Sequence, residues 1–173
     1  GLKPLFSNVS RTGVRLGDEI ERMSKAFDSI IIDTGGRDSK EMRKAMLKSN
    51  LVIIPTIPSQ YDVPVLENML EIYDESRQVN EKLLAFVLVN RASPNPFLFK
   101  ELENLREFIS RIKAEKDLKN VVLLKSSLFE RQAYRKAVVE GKSVSEFCDK
   151  NDKALQDFEN FYKELLKSVE ERL

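Results

Sequence analysis

Asp33 followed by Thr34, Gly35 and Gly36 is where residue types and spacing in this sequence best suit chemistry. A carboxylate at the carboxyl end of a buried strand can hold Mg²⁺ or its waters, while adjacent glycines let backbone N–H groups approach a phosphate. The same residues also suit an acid capping an ordinary turn whose glycines supply positive φ. Gln60, Asn90 and Ser126 fall at comparable points, each after an apolar run. Arg131 and Arg135 are spaced one helical turn apart, so both could reach neighbouring phosphates of a nucleic acid. The other reading of these arginines is a solvated helix face paired with Glu130 and Glu140.

The elements that must position these residues repeat along the chain. Apolar runs at residues 30–32, 51–54, 84–89 and 121–124 read as buried strands. Helical periods follow them: Leu66, Met69, Leu70 and Tyr73, then Leu98, Leu102, Leu105, Ile109 and Ile112, then Ala133, Tyr134, Ala137 and Val138. Asp62 suits the cap of the first of these helices and Pro64 its first turn. Continuous apolar strands alternating with helices predict an α/β fold, a mostly parallel sheet with helices on both faces. In such sheets ligands bind at the strands' carboxyl ends, where Asp33, Gln60, Asn90 and Ser126 are expected. The chain reads as a single domain over residues 1–173. Its last part, residues 151–173, forms an amphipathic helix with Ala154, Leu155, Phe158, Tyr162, Leu165 and Val169 on the side packed against the sheet.

Taken together, several stretches resemble the ParA-type plasmid and chromosome partition ATPases of the deviant Walker A P-loop class, which includes MinD. They are residues 33–39, which resemble a Walker B and switch II segment; Ile54 and Pro55 with residues 58–62; Val89, Asn90, Arg91 and Ala92; and residues 131–134 with 141–144. The resemblance implies a P-loop NTPase-like fold and an ATPase. Its nucleotide-dependent homodimer binds nonspecific DNA and a centromere-bound adaptor protein, in the cytoplasm on the nucleoid. By the same resemblance Asp33 is the catalytic switch acid that orders Mg²⁺, through water. Gly35, Gly36 and Arg37 belong to the phosphate and switch region, Arg37 serving either phosphate sensing or the dimer interface; Asn90 reads the adenine edge, with Arg91 also at the nucleotide, and Arg131 with Arg135 binds DNA. ATP and Mg²⁺ are the implied cofactors of the complete protein.

The family's glycine-rich phosphate loop, with a lysine near each end, is absent from these 173 residues. Gly141, Lys142 and Ser143 imitate the end of such a loop, yet a helix precedes them instead of a strand, and the upstream glycine position is Lys136. They read instead as a helix terminator followed by a capping box of Ser143 and Glu146. The sequence thus predicts a chain lacking the amino-terminal nucleotide-binding element, which binds no cofactor and hydrolyses no ATP by itself. The missing strands would be central, leaving sheet edges exposed. An interaction module that keeps the fold without hydrolysis is the alternative, with a MinD-like membrane-associated positioning ATPase as a further one.

Composition narrows the chemistry. With no histidine, Ser-His and Cys-His nucleophile systems are excluded, and a single cysteine, Cys148, allows no internal disulfide. Cys148 reads as a small buried hydrophobe. Hydrophobic content of 42% and charged content of 33% suit a soluble intracellular domain, and no apolar stretch approaches the roughly 20 residues that span a bilayer. A net charge of +1 leaves nucleic-acid binding to local clusters. The polar face of the last helix carries Glu159, Glu164, Glu170 and Glu171 against Lys163, Lys167 and Arg172, a balance that argues against anionic lipid.

Overall fold

A computed structural model describes residues 7–10, 13, 15–35 and 38–172. Two short helices, α1 (Leu16–Ser24) and α2 (Lys40–Lys48), precede strand β1 (Leu51–Thr56). Helix α3 (Val63–Val79) leads to β2 (Leu84–Ala92). A 3₁₀ turn (Pro96–Leu98) and α4 (Phe99–Glu115) lead to β3 (Val121–Phe129). The chain then forms α5 (Gln132–Val139), α6 (Val144–Phe147) and α7 (Lys153–Glu170). The three strands pair in parallel in the order β1-β2-β3. The fold is therefore α/β.

Residues 84–89, all apolar, form the central strand and are buried on both faces, as expected where helices cover each side. Ala85, Val87 and Val89 face the core made by Met42 and Met46 of α2, Leu66, Leu70 and Tyr73 of α3, and Leu105, Ile109 and Ile112 of α4. Leu84, Phe86 and Leu88 face the opposite core, closed by Phe158, Phe161, Leu165 and Val169 of α7. Tyr73, fully buried, donates its hydroxyl to the carbonyls of Leu83 and Asn120, at 2.9 and 3.2 Å, where β2 and β3 begin. On α7 the inward aromatic is Phe161, while Tyr162 is half exposed. Of the expected face, Ala154, Leu155, Phe158, Leu165 and Val169 pack inward and Tyr162 does not, Phe161 taking its place one residue earlier. Cys148 caps the end of α6 and is half-buried rather than buried.

One expected strand does not form. Residues 28–35 adopt no regular structure, and Ile31 is 96% exposed. An apolar triplet becomes a strand only where a neighbour offers a hydrogen-bond ladder, and none of the described strands flanks this one.

The two edges of the sheet differ. In β3 two extra residues lie between the pairs Val87↔Leu123 and Val89↔Ser127, so the strand bulges. Arg106 of α4 donates to the carbonyls of Leu124 and Lys125 at 3.1 and 2.6 Å. Glu164 of α7 accepts the N–H groups of Lys125 and Ser126 at 2.7 and 2.8 Å. These side chains close that part of the edge to another strand. Along β1, the Leu84 N–H bonds the Asn50 carbonyl at 3.0 Å, which turns Val52, Ile54 and Thr56 toward β2 and the backbones of Leu51, Ile53 and Pro55 outward. Pro55 thus sets its missing donor on the side that none of the described strands covers, the position where a strand tolerates proline.

Gly141 adopts φ +66° and ends α5. Its N–H bonds the Val138 carbonyl at 3.0 Å and that of Lys142 bonds Ala137 at 2.9 Å, the double bond of a Schellman terminus. Ser143 and Glu146 then form the expected capping box. The loop-like Gly141, Lys142 and Ser143 therefore join two helices. Among the described residues no helix is long and apolar enough to cross a membrane.

Candidate functional site

Asn90 and Arg91 lie near the carboxyl end of β2, where the strand carries an extra residue. Val89 pairs with Ser127 and Ala92 with Phe129, three steps along β2 against two along β3. The mismatch is absorbed at Arg91, whose φ of +52° places a branched-chain-free but non-glycine residue in the left-handed region. Its N–H bonds Asn90 Oδ1 at 3.0 Å, a local contact that offsets part of the strain. Such conformations persist where the surroundings enforce them, and they concentrate at binding sites.

Across the strand ends, Glu130 gathers two arginines on one oxygen. Its Oε1 accepts from Arg91 at 3.3 Å and from Arg135 at 2.7 Å. Arg131 turns the other way. It precedes α5 as an extended N-cap, φ −124° and ψ 140°, and so does not share a helix face with Arg135. Both arginines line the same cleft, but they pair with different carboxylates, Arg131 with Asp157 and Arg135 with Glu130. Arg131 Nε bonds Asp157 Oδ2 of α7 at 2.8 Å, with side-chain exposures of 22% and 15%. Its guanidinium carbon sits over the Phe129 ring, 5.2 Å from the centroid. One turn on, Tyr134 donates its hydroxyl to the Ala154 carbonyl at 3.0 Å. Burial pushes the Tyr134 phenol up to about 12, with Asp157 adding to the rise.

These side chains, with Leu128, wall an open cleft of about 230 Å³ at the carboxyl ends of β2 and β3. That is below the roughly 300–1,000 Å³ of sites that enclose a whole drug-sized ligand, and it suits one planar ring. The lining combines an apolar base with amide, carboxylate and guanidinium groups at the rim. Such a donor and acceptor set matches a nucleotide base.

The other predicted residues are placed elsewhere. Asp33, Thr34 and Gly35 are exposed in the irregular segment before α2 and do not line the cleft. Gly36 and Arg37 lie outside the described residues. Asp38, just beyond them, accepts two bonds from Arg43, at 2.8 and 3.0 Å, which hold its carboxyl below the usual carboxylate range. Arg43 also bonds Glu75 of α3 at 2.6 Å, and Ser39 caps α2 by accepting the Met42 N–H at 3.1 Å. The carboxyl side of the segment is thereby fixed to α3. Among the described residues no three carboxyl, thiol or imidazole groups converge as a metal cage. Magnesium at Asp33 would need phosphate oxygens and water for its other ligands, as that ion commonly does. Gln60 is exposed after β1, and Ser126 lies within β3 rather than at its end, since the bulge prolongs that strand.

Phe129, Tyr134 and Asp157 belong to the site but carried no signal as site residues in the sequence. Asp157 meets Arg131 across 26 residues, a contact no local spacing reveals.

A family model described as ATPase MipZ matches residues 4–91. Maintenance of carboxysome distribution protein A of Halothiobacillus neapolitanus is 25% identical over 123 residues, 71% of this chain and 52% of the relative. The chain thus spans about half the length of the curated relative it matches.

Proposed function

Because the chain belongs to the MipZ ATPase family, we propose that it is part of a positioning ATPase of the ParA and MinD kind, which distributes a cellular cargo. The observation that carries this reading is Asn90, held by a strained bulge at the end of the central strand in a cleft the size of one ring. A carboxamide there can both donate to and accept from a purine's edge. The name of the carboxysome relative, which refers to distribution of an organelle, supports cargo positioning as the role.

In this reading ATP, when bound with Mg²⁺, supplies a phosphoanhydride whose hydrolysis resets the protein. Asn90 orients the base and Arg91 closes the rim. The Asp33 carboxylate would hold the waters of the metal, and Gly35 beside it would let backbone approach a phosphate. Hydrolysis itself belongs to a protein that also carries a phosphate-gripping loop, since backbone amides and a lysine must face the β and γ phosphates. The nucleotide-bound form is a homodimer that travels on nonspecific DNA and meets an adaptor fixed to its cargo, a centromere-bound protein where the cargo is DNA. Arg135, 75% exposed, is the better placed of the two arginines for a DNA phosphate.

The sequence predicts that these residues alone hold no cofactor, whereas a base-reading cleft implies a weak affinity carried by the ring, and titration of the chain with ATP and with GTP tests it. Tighter binding of ATP, lost in Asn90→Ala, is the expected result. Equal affinity for the two nucleotides in the parent chain contradicts it.

A further inference from the structure

The cleft's two arginine groups are built differently. Arg91 and Arg135 share an exposed carboxylate at the rim. Arg131 is part-buried, fixed at Nε by Asp157 and laid over Phe129. A guanidinium is planar, and with one side on an aromatic ring and one edge paired to a carboxylate its orientation is set before any ligand arrives. That arrangement is unsuited to swinging out toward the phosphates of a duplex. It suits a flat ring entering the cleft.

We propose that Arg131, held by Asp157 over Phe129, is the platform on which the nucleotide base stacks. Asp157 is its positioning residue, acting from α7. The proposal rests on the base-site reading above and adds to it. Asn90 reads the edge of the ring, and Arg131 takes its face. Every planar base offers such a face, so the platform supplies affinity without selecting adenine. Selection stays with Asn90.

The test uses isotope-labelled 173-residue chain titrated with adenosine monophosphate and, as a control lacking the ring, ribose 5-phosphate, each followed by nuclear magnetic resonance. A base stacked on the guanidinium shifts the Arg131 Nε–H signal upfield through its ring current, and ribose 5-phosphate leaves that signal in place. Arg131→Lys keeps the charge and loses the plane. It weakens the monophosphate roughly tenfold, the scale of one lost base-stacking contact, and leaves ribose 5-phosphate unchanged. Asp157→Asn weakens the monophosphate less, and Asp157→Glu restores it. If the parent chain binds both compounds alike or binds neither, the base site itself fails and the platform with it. If the parent prefers the monophosphate and Arg131→Lys retains that preference, the base site stands and the platform is overturned. Arg131→Lys that preserves monophosphate affinity while Arg131→Ala loses DNA binding would return Arg131 to phosphate contact. Because the ring-current shift is read in the parent chain, a variant that fails to fold does not leave the proposal unexamined.

Discussion

Asn90 and Arg131 show how far single residues can be interpreted before their neighbours are known. A polar residue ending an apolar run was enough to single out Asn90. Its companion Arg91 could be suspected, but the left-handed backbone that positions both depends on a register mismatch with β3. No spacing within β2 encodes that. Arg131 and Arg135 looked like a pair because periodicity counts residues, whereas the N-cap marks where helical backbone begins. Replacing Arg135 by Glu should reduce affinity for unrelated DNA sequences alike and flatten its salt dependence, measured for the nucleotide-bound form. An unchanged slope would leave Arg135 as a rim residue. The phenols of buried Tyr73 and half-buried Tyr134 give a second prediction. Burial lifts both Tyr73 and Tyr134 to about 12, so their neutral forms are favoured in the folded chain. The stability they contribute is complete below the ordinary tyrosine value of about 10 and is lost as pH rises through about 12. Ultraviolet titration of phenolate should show two groups ionising near the upper value, together with alkaline unfolding.

At the scale of elements, helices were more legible than strand boundaries. Helices α3, α4 and α7 declare themselves by period, and Gly141 with Ser143 is decoded correctly because caps are local chemistry. No local spacing announces the bulge in β3, which is bonded by Arg106 of α4 before it and by Glu164 of α7, 39 residues after Lys125. Glu164 is the more consequential of its supports. Burial alone would raise its carboxyl, but the hydrogen bonds from Ser126 and Lys125 outweigh that and hold it below the usual value. A carboxylate with a depressed value stabilises the fold above its ordinary range near 4.3 and ceases to as pH falls through the depressed value. Glu164→Ala should therefore cost about 1 kcal/mol at neutral pH, chiefly from the part-buried Ser126 N–H left without its acceptor, and much less in acid. Urea unfolding at both pH values measures the difference. Tyr73→Phe should cost a similar amount near neutrality, about 1–3 kcal/mol, because part-buried carbonyls before β2 and β3 lose a donor.

For the whole molecule, the sequence conveyed the class of fold but not the reach of its sheet. Parallel strands between helices follow from continuous apolar runs, and three of four such runs became strands. The fourth, residues 30–32, has the composition of a strand without a ladder to join, so composition and outcome part there. The family match covers residues 4–91, and the cleft joins Asn90 and Arg91 at the end of that stretch to residues 128–135 beyond it. The outward turn of alternate β1 residues should be visible in time as well as in space. In exchange with deuterated water, the amides of Val52, Ile54 and Thr56 should remain protonated for as long as the core of the sheet. Those of Leu51 and Ile53, on the same strand and in the same fold, should deuterate early, and Pro55 has no amide to follow. A strand of six residues would then carry a clock that ticks at every second position, and any molecule that came to lie along its open side would be recorded by the slowing of the fast ones.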